Sequence, residues 1–443
     1  MEGHGNLMDC VIELEKKLAL AYTTFRCFRH SSLTSRSEKL TRAAEILKSE
    51  CSRFAEIMTA EMGKTLASDR AEAIRCALVC CYNAEHRAEF VAYREYAVGT
   101  ERCIVKFQPL GPVLAMMPWN YPFWQVFRFA APALMEGNSG LLKHASNVPR
   151  CSDAIAEIIL RVGFAPGVLE SLHIETPKVA DVIADDRVAA VTFTGSEPAG
   201  SAVASAAGKA IKKAVVEFGG SDPLVIMPSA PFQKAVLAAV QARMINCGQS
   251  CIAAKRILIA DSIYERCEEA IFAEVKRLRI GDPLDPATDI GPLASENFAA
   301  QLDEQVQKAI GAGGRVLSDG HISSVGQAYF EPTILADVPR NSEIAREEFL
   351  GPVAMLFRVK SIDDASELAN DTPFGLGSSV WTNDASEQKR FSEDIEAGQV
   401  FVNARTFSHP PMPCNGIKRS GIGRELGEWG IREFMSVKTV YCG

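Results

Sequence analysis

Three short apolar runs, each followed by a helical stretch, constrain this chain more than any other feature. Val113-Leu-Ala-Met-Met117, Gly140-Leu-Leu-Lys-His144 and Ala189-Ala-Val-Thr-Phe-Thr194 are too continuous for strands with one wet face. Such runs alternating with helices mark a parallel sheet covered on both sides, whose ligand crevice lies beyond the strands' C-terminal ends. Asn120, Lys143 and Gly195-Ser196, at the ends of the runs, are therefore expected to converge on one cleft.

A second alternation of strands and helices from Lys255 to about Val402 predicts a second α/β lobe, as expected for 443 residues. Met8 to about Tyr93 reads as helix-rich. Leu14, Leu18 and Tyr22 share one predicted face, a helix stops at Gly63, and a long helix is predicted from Ala67 to Tyr93. Ala97 to Pro109 alternates as a strand or hairpin does, and Ser436 to Tyr441 reads as an edge strand able to pair with another subunit.

The formal net charge of -8 argues against a broad nucleic-acid or anionic-membrane surface. No apolar run is long enough to span a bilayer and the N-terminus has no charged-then-apolar pattern, so a cytoplasmic protein is expected. Thirteen cysteines, odd in number and without C-x-x-C spacing, read as reduced thiols, and the adjacent Cys80 and Cys81 as packing residues. Seven histidines with no i, i+4 pair give a zinc site no support, and the chemistry is expected to be metal-free.

The stretch Arg243-Met-Ile-Asn-Cys-Gly-Gln-Ser-Cys-Ile-Ala-Ala-Lys255 holds the candidate nucleophile. Cys251 is reached through Gly248-Gln249 where a predicted helix gives way to a strand, and a polar, flexible collar is not what a core thiol needs. Glu217, in the apolar stretch Val215-Val-Glu-Phe-Gly-Gly220, is either salt-bridged or working, because a carboxylate there is costly otherwise. Thr194-Gly-Ser196 before the small-residue helix Ala199 to Lys209 is a phosphate cradle or an ordinary strand-to-helix turn. Glu347-Glu348 falls in a predicted turn, where two solvated carboxylates are the default.

The order and spacing of Pro118-Trp-Asn-Tyr-Pro122, Gly137-Asn-Ser-Gly-Leu-Leu-Lys143, Phe193-Thr-Gly-Ser196, Glu217-Phe-Gly-Gly220, Asn246-Cys-Gly-Gln-Ser-Cys251, Glu347-Glu-Phe-Leu-Gly-Pro352 and Gly416-Ile-Lys-Arg-Ser-Gly421 resemble the aldehyde dehydrogenase superfamily from about Phe25 to the C-terminus. The resemblance implies a Rossmann-like nucleotide-binding domain (1–96 and 110–222), an α/β catalytic domain (223–415), oligomerisation strands (97–109 and 434–443) and a return segment (416–433). It implies a homodimer or homotetramer built on that small β flap. By the same carry-over Cys251 attacks an aldehyde, Asn120 and the Cys251 backbone N–H hold the oxyanion, and Glu217 activates the water that hydrolyses a thioester. Trp119, Lys143, Ser146, Gly195, Ser196 and Glu348 match cofactor positions. Many relatives carry glutamate where this chain has Ser146; a hydroxyl beside the Lys143 cation tolerates a 2′-phosphate, which favours NADP over NAD.

Arg128 and Ser408 resemble the carboxylate grip of succinate-semialdehyde dehydrogenases, with a structural ion pair as the alternative for Arg128. The expected reaction is oxidation of succinate semialdehyde to succinate; glutarate semialdehyde, another small aldehyde, or a non-catalytic relative are the other readings. Some features depart from the family pattern. Ile245 stands where one branch has a second arginine, with Arg243 nearby. Leu350 replaces a usual Phe, and Pro413-Cys-Asn-Gly416 replaces Pro-Phe-Gly-Gly. Met1 to Asn6 offers no counterpart to the family's first strand pair. Cys247, one helical turn before Cys251 in the predicted helix, is a candidate for a regulatory disulfide.

Overall fold

The computed structural model describes residues 3–86, 89, 92–99, 101–318 and 320–442. A six-stranded sheet runs in the order Gly421–Ile422, Lys213–Glu217, Ala190–Thr194, Pro112–Met117, Ser139–His144, Leu169–Ser171. Neighbouring strands are parallel except at the Gly421–Ile422 edge. The chain builds outward from Pro112–Met117 to one edge, then returns to lay Ala190–Thr194 on the other side. The order reverses between those two strands, which opens a crevice at their C-terminal ends. Asn120 follows one of them and Gly195-Ser196 the other.

The apolar runs are buried on both faces, which is why they do not alternate. Val113, Ala115 and Met117 join one hydrophobic cluster, while Leu114 and Met116 join another, because successive side chains of a pleated strand leave on opposite faces. The first cluster is closed by helices Leu33–Ser49, Cys51–Met62, Leu66–Glu85 and Trp124–Glu136, the second by Gly3–Phe28, Val179–Ala184 and Glu197–Lys209. On the first helix the buried line is Leu18, Ala21 and Phe25, with Leu14 packed against it. Tyr22, expected on that face, is 40% exposed.

Pro223–Ile226 opens the second sheet, seven strands in the order Arg315–Val316, Thr333–Ala336, Val353–Val359, Arg256–Ala260, Pro223–Ile226, Gly377–Trp381, Gln399–Val402. It is parallel except at Arg315–Val316. Its own cluster includes Leu224, Ile257, Leu356 and Val380. The helix leading to Cys251 spans Phe232–Met244.

A third sheet joins Arg94–Val98, Glu101–Pro109 and the C-terminal Met435–Cys442, all antiparallel. The predicted helix from Ala67 to Tyr93 instead ends at Glu85. Residues 87, 88, 90 and 91 of that prediction lie outside the described residues, and Arg94–Val98, which begins after Tyr93, pairs with Glu101–Pro109. The return segment 416–433 contains Gly421–Ile422, which pairs with Glu217 and Val216.

His144 ends its strand fully buried. Its Nε2 lies 2.8 Å from the Pro122 carbonyl oxygen and its Nδ1 2.9 Å from the Ala145 amide nitrogen, with the Met117 carbonyl 3.2 Å from Nδ1. A neutral ring protonated on Nε2 donates to Pro122 and accepts from Ala145. Burial lowers its pKa from 6.5 to about 4. The folded value is depressed, so this stability is present above pH 6.5 and lost as pH falls through about 4. Wild type is expected to lose stability over that window more steeply than His144→Asn, by about 3 kcal/mol when titration is complete; thermal melts of both across the pH series check it.

Candidate active site

The loop leading to Cys251 is shaped by three left-handed residues in a row, Asn246 (φ 57), Cys247 (φ 56) and Gly248 (φ 75), which turn the chain back after its helix. At Gly248 a side chain would run into the backbone of Gly351 and Pro352. Arg243, wholly buried, donates to the carbonyls of Gly248 (3.0 Å), Phe349 (2.9 Å) and Gly351. It clasps the loop carrying Cys251 to the loop carrying Glu348. Its place is behind the site, so it does not stand in for the arginine missing at Ile245.

Cys251 lines two cavities, one of about 630 Å³ and one of about 490 Å³. Its Sγ lies 3.7 Å from Glu217 Oε1. Burial pushes the thiol pKa well up and Glu217 adds to this, while Lys255 and Arg128 pull the other way. Asn120 stands across the loop: Nδ2 donates to the Gln249 carbonyl (3.1 Å) and Oδ1 accepts from the Tyr121 N–H (3.1 Å). The Asn120 carbonyl accepts from Asn246 Nδ2 at 2.8 Å and meets Lys64 Nζ at 3.5 Å. Lys64 is buried between Asp69 (3.0 Å) and Glu72, and Glu72 Oε1 accepts from the N–H groups of Phe123 and Trp124 at 2.8 Å each. That network fixes the corner after the Pro112–Met117 strand.

Glu217 ends its strand within 3.1 Å of Arg128, which also pairs with Glu425 at 2.6 Å. Glu217 is thus both salt-bridged and beside the thiol. The ion-pair alternative describes the contacts of Arg128, although it lines the smaller cavity together with Ser408. Burial raises the carboxyl pKa of Glu425 against the pull of Arg128. Arg75, Tyr121, Trp124 and Arg405 complete that end of the cavity.

The larger cavity is lined by Trp119, Asn120, Lys143, Gly195, Ser196, Glu348 and Leu350, so most of the residues expected around a cofactor meet there. Ser146 instead lines a neighbouring cavity of about 590 Å³ that shares Lys143 and includes His173. Glu348 is not one of two solvated carboxylates: Oε1 accepts from the Gly220 N–H (3.2 Å) and pairs with Lys255 (3.3 Å). At Gly219 a Cβ would strike that carboxylate, so the strand end must be glycine for Glu348 to approach. Cys247 is a buried free thiol lining a separate cavity with Thr65 and Ile290. The left-handed turn removes the helical spacing on which a Cys247–Cys251 pairing was expected.

Sequence reasoning assigned no role to Lys255, Glu425 or Arg75. Lys255 donates to the carbonyls of Ser250 (2.8 Å) and Cys251, joining the Cys251 backbone to Glu348. The signal for it was present: two cations, Lys255-Arg256, open the otherwise apolar strand Arg256–Ala260, and buried cations need partners. Glu425 and Arg75 had no local signal. Among the described residues no group of three His, Cys, Asp or Glu is arranged for a metal, and no helix is long and apolar enough to cross a membrane.

The sequence model of the aldehyde dehydrogenase family matches residues 11–440. The chain is 48% identical over 432 residues to the succinate-semialdehyde dehydrogenase [NADP(+)] of Mycobacterium leprae, covering 97% of this chain and 94% of that one. Among solved structures, the succinic semialdehyde dehydrogenase of Streptococcus pyogenes in complex with NADP+ superposes with a TM-score of 0.95 at 33% identity, over 97% of this chain and 94% of that one. An NADP-dependent enzyme of E. coli superposes with a TM-score of 0.95 at 33% identity, over 97% and 90%.

The raised thiol pKa sets the reactivity of Cys251 without ligands. Its alkylation by iodoacetamide is expected to climb about tenfold per pH unit beyond pH 9 without levelling off, as the thiolate is the reacting form. Lys255→Gln removes a cation that favours the thiolate, so labelling at any given pH is expected to be slower. Rates read by mass spectrometry at Cys251 check both.

Proposed function

The chain belongs to the aldehyde dehydrogenase family, and on that premise we propose that it oxidises succinate semialdehyde to succinate with NADP as cofactor. The observation that carries the reading is the position of Cys251: its sulfur touches Glu217 and it lines both a cavity suited to a dinucleotide and a smaller one ending in arginines and Ser408. Substrate and cofactor can then meet at one sulfur from opposite sides.

The larger cavity fits the cofactor on its own chemistry. Ser196 caps its helix with no side-chain bond, which leaves first-turn N–H groups and a positive dipole end for a diphosphate. Ala199, Ala202, Val203 and Ala206 supply a small apolar wall. Lys143 and Ser146 would hold the adenosine ribose and its 2′-phosphate, Glu348 the nicotinamide ribose, and Trp119 the wall beside Asn120. Bound there, NADP supplies the hydride acceptor.

The residues of the chain do the rest. The Cys251 thiol gives up its proton towards Glu217 and its sulfur attacks the aldehyde carbon. The second N–H of the Asn120 amide, the one not spent on Gln249, and the Cys251 backbone N–H hold the oxyanion of the thiohemiacetal. After hydride loss the thioester carbonyl stays in the same grip. Glu217 first passes the thiol proton to solvent; as a carboxylate again it takes a proton from water as the water oxygen attacks the thioester, and the acid leaves as Glu217 returns that proton to the sulfur. The far carboxylate of the substrate lies towards Arg128 and Ser408. The exposed Tyr96, Val98, Val437 and Tyr441 on the three-stranded sheet support a homodimer or homotetramer. The free state of the described cysteines supports work in the cytoplasm.

Succinate semialdehyde is expected to drive reduced-cofactor absorbance faster with NADP than with NAD. In Ser146→Glu the KM for NADP is expected to rise about 30-fold, the equivalent of ~2 kcal/mol, because a hydroxyl that can donate to the phosphate gives way to a charge that repels it. The KM for NAD should change far less. Equal loss with both cofactors would show that Ser146 does not face the 2′-phosphate.

A further inference from the structure

The cavity that holds Ser146 is lined by two histidines in opposite states. It meets the larger cavity at Lys143, Ala145 and Thr176, so a group carried on the adenosine ribose can pass from one into the other. His144 has both ring nitrogens bonded to backbone and is kept neutral by burial, which leaves it nothing to offer a ligand. His173 is half-exposed. Its Nε2 lies 2.8 Å from Asp153 Oδ1 and 3.3 Å from Ser171 Oγ, and among the described residues its Nδ1 has no partner.

The ring is anchored from behind. Ser171 Oγ is 2.6 Å from Ser152 Oγ, both serines are buried, and the Ser171 carbonyl accepts from Lys17 of the first helix at 2.7 Å. Asp153 belongs to the helix Pro149–Arg161 and does not line the cavity. A carboxylate on Nε2 favours the imidazolium, whose second N–H is then on Nδ1.

The charge of the ligand calls for such a group. A phosphate monoester carries about −1.5 to −2 charges near neutral pH. Lys143 is the one Lys or Arg lining this cavity, and among the described residues its ammonium bonds the His144 carbonyl at 3.2 Å and pairs with no carboxylate. Ser146 and Ser152 are neutral, Glu175 is an exposed anion screened by solvent, and Lys178 further along the same loop is paired with Asp181. A single ammonium leaves much of the phosphate charge unmatched.

We propose that His173, braced by Asp153, is the second cation of this site: on binding it holds a proton on each ring nitrogen and donates from Nδ1 to the 2′-phosphate of NADP. The proposal rests on the NADP reading above and adds to it a residue whose charge changes with pH. The grip strengthens as pH falls through the neutral range, down to about pH 6, where the phosphate itself begins to lose charge.

The test uses the full chain with adenosine 2′,5′-bisphosphate and with 5′-AMP, which differ by the 2′-phosphate and need no aldehyde. By isothermal titration calorimetry at about pH 6.5, His173→Gln is expected to weaken the bisphosphate about tenfold, as for one lost charge-assisted hydrogen bond, and to leave 5′-AMP nearly unchanged. Repeating the titrations in buffers of different ionisation enthalpy counts protons, and wild type should take up more than His173→Gln on binding the bisphosphate. His173→Lys should restore the affinity, at about pH 8 as well as at about pH 6.5, because its charge does not titrate there. Bisphosphate bound equally by wild type and His173→Gln, a loss shared equally by 5′-AMP, or equal proton uptake overturns the role of His173. Failure of the underlying reading looks different, since wild type itself would then bind 5′-AMP as tightly as the bisphosphate.

Discussion

Everything around Cys251 depends on one buried guanidinium. Arg128 lies between Glu217 and Glu425, and through them it joins the helix Trp124–Glu136, the end of the strand Lys213–Glu217 and the segment that returns from the second lobe. Carboxylates this deep are tolerable only with such a partner. Taking one member away from a buried charged set commonly costs ~3–5 kcal/mol, because the others are left uncompensated. Without the arginine the two glutamates repel each other, and the one facing Cys251 has no reason to stay.

The remaining walls are fixed by cations of a different kind, buried lysines and arginines whose partners are largely backbone carbonyls. Lys64 reaches Asn120, Arg243 reaches Gly248, Phe349 and Gly351, and Lys255 reaches Ser250 and Cys251. Each ties together segments far apart in sequence. A site assembled this way holds its dipoles in place before any ligand arrives, which is the condition for stabilising charge without reorganisation. The thiol meanwhile stays mostly protonated, because burial and the Glu217 carboxylate outweigh the pull of Lys255 and Arg128.

What the sequence disclosed was local. The runs at Val113, Gly140 and Ala189 read as two-faced strands because no solvent face interrupts them, and the collar Asn246-Cys-Gly-Gln-Ser250 marked Cys251 because its residues suit a bend. The misses have a physical pattern. Tyr22 was assigned inward by spacing alone, yet the neighbouring turn position Ala21 packs closer. Glu425 and Arg75 gain meaning only from partners across the fold, and ion pairs of that kind leave no periodicity to read. Gly421–Ile422 is too short to show a strand period, and its pairing beside Glu217 is visible only in three dimensions.

That short strand bears on how the protein is made. Gly421–Ile422 completes the first sheet, Glu425 completes the charge set on Arg128, and Met435–Cys442 completes the antiparallel flap begun by Arg94–Val98. All three are made after the parallel strands of the first sheet and the loop carrying Cys251. The first lobe can collapse early around its parallel strands, but its edge strand and the Glu425 that shares Arg128 with Glu217 arrive only after the second lobe has been made. A nascent chain therefore carries Cys251 without a finished site. The charge set around Glu217 is finished only once the return segment is in place, and a cut that frees that segment takes Glu425 from Arg128 and Gly421–Ile422 from the first sheet.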